Sequence, residues 1–291
     1  MDTLLQELFK EREDKYPHHL KKNFARILEK ITSLWGTAEL DAYFHELMID
    51  YKGDRQGFPQ EVVAELLTLS GIHDKVMEEK NKKNEDAWSN ETIRRGLEAE
   101  HVEYSPRGFF QALDAGNVRA VQLFIEAGVN LEDVNAAGWT PLMISSFMGS
   151  EQTAAMLVNA GANVNARDNR GYGPLHWASY QGLTKITKLL LEKGAFVNSK
   201  SKRGLSPLLQ ASARGHAEIV TLLISGNALV DDADDEGWTP LHKAVANGHK
   251  EVVALLMAAN ADPHLPHGSG LTAAMMAKQK NNQEIIQLLS R

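Results

Sequence analysis

Histidines and carboxylates are the side chains here that could hold a metal or move a proton, because the chain contains no cysteine. His45-Glu46 opens like the helix of a zinc hydrolase, where a second histidine four positions on completes the ligand pair and the glutamate activates water. That second position is Ile49, so the pair is not completed. Asp232, Asp234, Glu236 and Gly237 open like a calcium loop, but its twelfth position, where a bidentate glutamate belongs, is Lys243. His18-His19, and His264 with His267, lack a visible third ligand. No nucleophile elbow, phosphate loop or dinucleotide fingerprint occurs. The sequence therefore offers no catalytic, cofactor-binding or metal-binding residues, and the expectation is a protein that is not an enzyme.

Composition narrows the remaining classes. Of 291 residues, 43% are hydrophobic and 24% charged, as in ordinary globular chains. The first twenty residues mix both charge signs and lack a signal-peptide pattern, and no apolar run is long enough to suggest a membrane span. The absence of cysteine fits the cytoplasm, the expected location. Residues 1–104 carry 15 Lys/Arg against 22 Asp/Glu, whereas residues 105–291 carry 16 of each. An acidic part followed by a neutral one argues against nucleic acid as a partner.

The elements that must position any binding residues emerge from a repeat. GWTPLHKAVANGHKEVVALLMAANAD, residues 237–262, recurs every 33 positions, with copies starting at Gly138, Gly171, Gly204 and Gly270 and a degenerate copy at Ser105. The six copies are 105–137, 138–170, 171–203, 204–236, 237–269 and 270–291. The leading glycines suit turns with positive φ. Thr140, Ser206 and Thr239 are N-caps, each followed by a proline suited to the first helical position. A second glycine, or Asn281 in the last copy, separates two short helices. The second helix carries apolar pairs such as Ile219-Val220 and Leu222-Leu223, all four expected in the core. Gly173, standing where other copies have a hydroxyl cap, is expected to loosen its helix start.

On the 33-residue period, the TPLH-like boxes at 140–143, 206–209 and 239–242, the Gly-His pairs at 215–216 and 248–249, and NAGANVNARD at 159–168, residues 105–291 resemble the ankyrin repeat family. The resemblance implies an all-α solenoid of helix-turn-helix repeats with β-hairpin fingers. Fingers and first helices then line a concave face that in this family usually binds another protein. It also implies that His176 and His242 brace their turns.

Candidate contact residues follow from that register. Trp139, Tyr172, Leu205 and Trp238 follow the turn glycines. The aromatic ones among them either pack against a neighbouring finger or face a partner. Phe147, Met148, Tyr180 and Arg214 end first helices, and Trp177 lies within one. Phe147, Met148 and Tyr180 are expected to form a hot spot, since large apolar side chains exposed together mark interfaces. Lys200, Lys202 and Arg203 form a basic finger beside the acidic run Asp231–Glu236, a pattern that would orient a partner and speed encounter.

Residues 1–89 read as a small helical bundle, with helices over 2–15, 17–36, from Thr37 and from Pro59, and a polar linker at 80–86. Residues 90–104 read as a connecting helix and linker. No known family is assigned to this part. The expected function is a non-enzymatic protein-interaction module, with a protein partner, no nucleic acid, no membrane, and a monomer favoured. The alternative is an enzyme or effector whose N-terminal helical domain acts on a target recruited by the repeats.

Overall fold

The computed structural model describes residues 88–290, together with Lys30, Ile31, Leu40 and Tyr43. Those four are helical. The remainder of the expected bundle and the linker at 80–86 lie outside the described residues, as do His18, His19 and His45. The chain divides into two compact units, Met1–Glu79 and Lys80–Arg291.

In the second unit a helix α1 (Glu91–Ala99) precedes six helix pairs. These are α2 (Pro106–Asp114) with α3 (Val118–Ala127), α4 (Pro141–Met148) with α5 (Glu151–Asn159), and α6 (Pro174–Gln181) with α7 (Thr184–Glu192). They continue as α8 (Pro207–Arg214) with α9 (Ala217–Ser225), α10 (Pro240–Asn247) with α11 (Lys250–Ala258), and α12 (Ala273–Gln279) with α13 (Gln283–Leu289). First helices pack on first helices and second on second, so the unit is an all-α stack of two helix layers. Each helix is too short to be stable alone, and stacking supplies the burial that propensity does not.

The core repeats with the sequence. Phe124, Leu157, Leu190, Leu223, Leu256 and Leu289 stand 33 apart, all buried, on successive second helices. Phe109, Leu142, Leu175, Leu208 and Leu241 do the same on the first helices. Ala178, Ala211, Ala244 and Ala277 are buried between first helices, where a small side chain lets neighbouring backbones approach. Leu222, expected in the core, is only half-buried, because the helix turns it about 100° away from the row that Leu223 occupies. At the other end α1 packs on α3 and buries Ile93 and Leu97, taking the place a preceding second helix would fill.

Helix starts follow the capping chemistry. Thr140 Oγ1 accepts from the N–H of Met143 at 3.3 Å and Ser206 Oγ from that of Leu209 at 3.2 Å. α6 has no side-chain cap, yet begins at its proline like the others. The Gly173 N–H donates to His176 Nδ1 at 3.1 Å, and a Cβ at 173 would meet the Ala166 carbonyl oxygen at 2.9 Å. A side chain at 173 is opposed by this close approach, and the histidine ring braces the helix start from the other side, as His242 does for the Thr239 N–H at 3.2 Å, leaving the hydroxyl cap itself unreplaced.

Neighbouring copies are tied by polar ladders as well. Side-chain oxygens of Glu132, Asn165, Asn198 and Asp231 accept the backbone N–H of Asn163, Phe196, Leu229 and Asp262, at 2.8, 2.8, 2.9 and 3.0 Å. His216 Nε2 donates to the Tyr180 carbonyl at 3.1 Å, with its ring against Gly182, where a Cβ would come within 2.7 Å. His249 repeats the bond one copy on, to the carbonyl of Ala213 at 3.1 Å.

Candidate functional site

Each finger is a five-residue turn. Its first residue is Asn135, Asp168, Ser201 or Asp234, whose side-chain oxygen accepts the N–H groups two and four positions later. The backbone closes the loop twice: for the second finger, Asp168 N–H reaches the Tyr172 carbonyl and Gly171 N–H returns to Asp168, both at 2.8 Å. This is the three-residue hairpin loop with a left-handed glycine, here Gly171 at φ 79°. The fingers have hairpin bonding but arms too short for a ladder. Among the described residues the β pairing is one isolated bridge, Pro266 with Thr272. Tip also bonds to tip, Lys202 N–H to the Arg170 carbonyl at 2.8 Å and Asp235 N–H to that of Arg203 at 3.2 Å.

The last finger residue comes just before the helix cap, which fixes Trp139, Tyr172, Leu205 and Trp238 at equivalent places. Three of them meet first-helix rings. Trp177 on α6 is the centre of a cluster, 4.5 Å from Trp139, 5.6 Å from Phe147, 5.2 Å from Tyr172 and 6.5 Å from Tyr180, centroid to centroid. Phe147 also stands edge-on to Trp139 at 5.2 Å. All five rings are half-buried, and Met148 beside them is 54% exposed. Phe147 and Tyr180 lie on either side of Trp177. Arg214 reaches across from α8 and sets its guanidinium 4.6 Å from the Tyr180 ring. Trp139 additionally packs on the apolar core. Leu205 is half-buried and joins no ring; its carbonyl accepts from His176 Nε2 at 3.0 Å.

Trp238 stands apart from this cluster. His267 stacks on it at 4.4 Å and 14°, and Lys243 lies 4.5 Å over its ring. Lys243 in turn pairs with Asp234 at 3.1 Å.

The charged fingers are largely matched to each other. Lys200 pairs with Asp232 at 2.5 Å and Arg203 with Glu236 at 3.0 Å, each across to the next finger. Lys202 is exposed. The acidic run therefore serves the scaffold: Asp231 and Asp234 accept backbone N–H groups, and Asp232, Asp234 and Glu236 each hold a cation. Among the described residues no three His, Asp or Glu side chains converge as a metal site.

His176 Nδ1 accepts from Gly173 while Nε2 donates to Leu205, so the ring is neutral by construction. Burial, aided by the nearby Arg167, pulls it down to about 4 against the carbonyl bonds that favour the charged form. His242 is likewise lowered by burial, with His267 adding to the effect against the nearby Leu271 and Leu265 carbonyls, which Nε2 approaches without a well-formed hydrogen bond.

Sequence reasoning missed His267 as the stacking partner of Trp238, and it missed Trp177 as the ring that joins the other four. The 33-residue register was the available signal for the second, since it places Trp177 between its neighbours' helix ends. Among the described residues no helix is long and apolar enough to cross a membrane. Comparison with curated proteins finds no match. The family profile described as ankyrin repeats (3 copies) matches residues 109–201 and again 175–267, together more than half of the chain. With the two-layer helix stack and the hairpin-bonded fingers, the chain belongs to the ankyrin repeat family.

Proposed function

We propose that this protein is a non-enzymatic interaction module that docks a protein partner on the face shared by its fingers and first helices, centred on the rings around Trp177. Ankyrin repeats serve generally as protein–protein interaction modules. The observation that carries the reading is the partly exposed cluster of Trp139, Phe147, Tyr172, Trp177 and Tyr180, edged by exposed Met148. Interface hot spots are rich in such aromatic side chains, and solvated rims contribute much less. Of the charged finger residues, Lys202 has no carboxylate partner and can take one from a ligand, while Lys200 and Arg203 are matched by Asp232 and Glu236. We place the protein in the cytoplasm as a monomer, in keeping with a chain that has no cysteine to oxidise.

Site-specific photo-crosslinking tests the face directly. A photoreactive residue at Met148 is expected to trap a defined protein, whereas the same residue at Lys188, exposed on α7 of the other helix layer, traps none. Equal trapping at both positions would contradict the assignment of the face.

A further inference from the structure

The first helices of copies two to four and the fingers at 168–172 and 201–205 set the rings in a frame whose exposed charges are positive. The helices α4, α6 and α8 contain no Asp, Glu or Lys; their single formally charged residue is Arg214. In the fingers beside them, Asp168 is buried and holds its own turn, while Arg170, Lys202 and Arg203 are exposed. Cations in this region with a carboxylate in reach take it, as Lys185 does with Glu151, Lys200 with Asp232 and Arg203 with Glu236. Arg170, Lys202 and Arg214 have no carboxylate partner among the described residues.

Their placement brackets the apolar cluster. Arg170 precedes Tyr172 by two residues in the same finger, and the Lys202 backbone is bonded to that of Arg170. Arg214 lies on the opposite, helix-end side, against Tyr180. A guanidinium laid on a ring keeps its charge and loses little further freedom when it takes a carboxylate.

We propose that this face takes an acidic peptide segment bearing one large apolar side chain. The apolar side chain seats against Phe147, Met148 and Tyr180. Flanking carboxylates pair with Arg214 at one end and with Arg170 and Lys202 at the other. The proposal rests on the docking face argued above and adds the chemistry of what docks. A nucleic acid fits less well, because three cations without a carboxylate partner neutralise few phosphates.

Selection from a displayed random-peptide library on the full chain tests it. The Phe147→Ala, Tyr180→Ala double variant serves as counter-selection, and its Tm is measured alongside. Enriched peptides are expected to combine Asp or Glu with an aromatic, Leu or Met residue. Their affinity is expected to fall about tenfold or more in Lys202→Glu, Arg214→Glu, which changes exposed side chains only, and to fall with added salt. Enrichment of neutral or basic peptides that still depend on Phe147 and Tyr180 overturns the charge assignment and leaves the docking face standing. Peptides that bind the double variant equally well overturn both, as does the absence of any enrichment. If the double variant unfolds, the charge-reversed variant decides, and unchanged affinity there overturns the proposal.

Discussion

Trp139 and Trp238 occupy the same place three copies apart and keep different company. Trp139 leans on Trp177 and Phe147, rings that are themselves partly open to solvent. Trp238 is half-buried as well, but its neighbours are polar: His267 stacks on it and a lysine that Asp234 holds lies over its ring. The repeat decides where the ring goes; the residues one helix turn or one copy away decide whether it is left for a partner. A position common to the copies is therefore a scaffold feature, and function resides in what surrounds it.

If both halves share one scaffold, their cores must respond alike. Leu190→Ala in the first half and Leu256→Ala in the second are each expected to lower stability by about 2–5 kcal/mol, read by urea unfolding. The loss should spread to neighbouring copies, because an array is stabilised through its interfaces. A large effect in one half and almost none in the other would break the equivalence.

The histidines of the two halves sharpen the contrast. His176 is held neutral, with a folded value of about 4 against about 6.5 in the unfolded chain. The unfolded state therefore binds more protons between these limits, so stability is complete above about pH 6.5 and is lost as pH falls toward 4. The loss amounts to about 3 kcal/mol, and His176→Gln should remove most of it. His242, whose Nε2 makes no well-formed hydrogen bond, should cost less than His176 when replaced by Gln at neutral pH.

Trp238→Ala is expected to cost about 2 kcal/mol of stability through lost packing and stacking. Binding should be unaffected. The smallest effect expected is for Arg203→Ala, whose exposed pair with Glu236 is worth less than about 1 kcal/mol. Association with an acidic partner should slow slightly.

The backbone of the stack was legible because its signals are local and repeated. Turn glycines, hydroxyl caps and prolines act within four residues, and the same spacing returns copy after copy. Leu222 shows the limit: two adjacent leucines on a short helix fit the same apolar pattern, and only packing separates the buried row at Leu223 from its half-buried neighbour. The fingers show another. Reading Lys200, Lys202 and Arg203 and the acidic run Asp231–Glu236 as two patches facing a partner overlooked that they pair with each other, which neutralises two of the three cations. The stacking on Trp238 was hidden for the same reason, since His267 comes from the following finger. The ring cluster at the candidate site was half legible: its members stand out by type, but their convergence on Trp177 depends on how far apart consecutive copies stack.

The central claim is that Phe147 and Tyr180, the two rings that meet Trp177 from the helix ends, serve binding and not folding. The most direct test is the affinity of the full chain for the protein trapped at Met148, measured by calorimetry for the wild type and for Phe147→Ala, Tyr180→Ala, with thermal unfolding recorded on the same samples. Each anchor is expected to contribute about 2 kcal/mol or more, so the double variant should bind about a thousandfold more weakly while its Tm moves by only a few degrees. Undiminished affinity, or unfolding of the variant in place of weaker binding, would contradict the account.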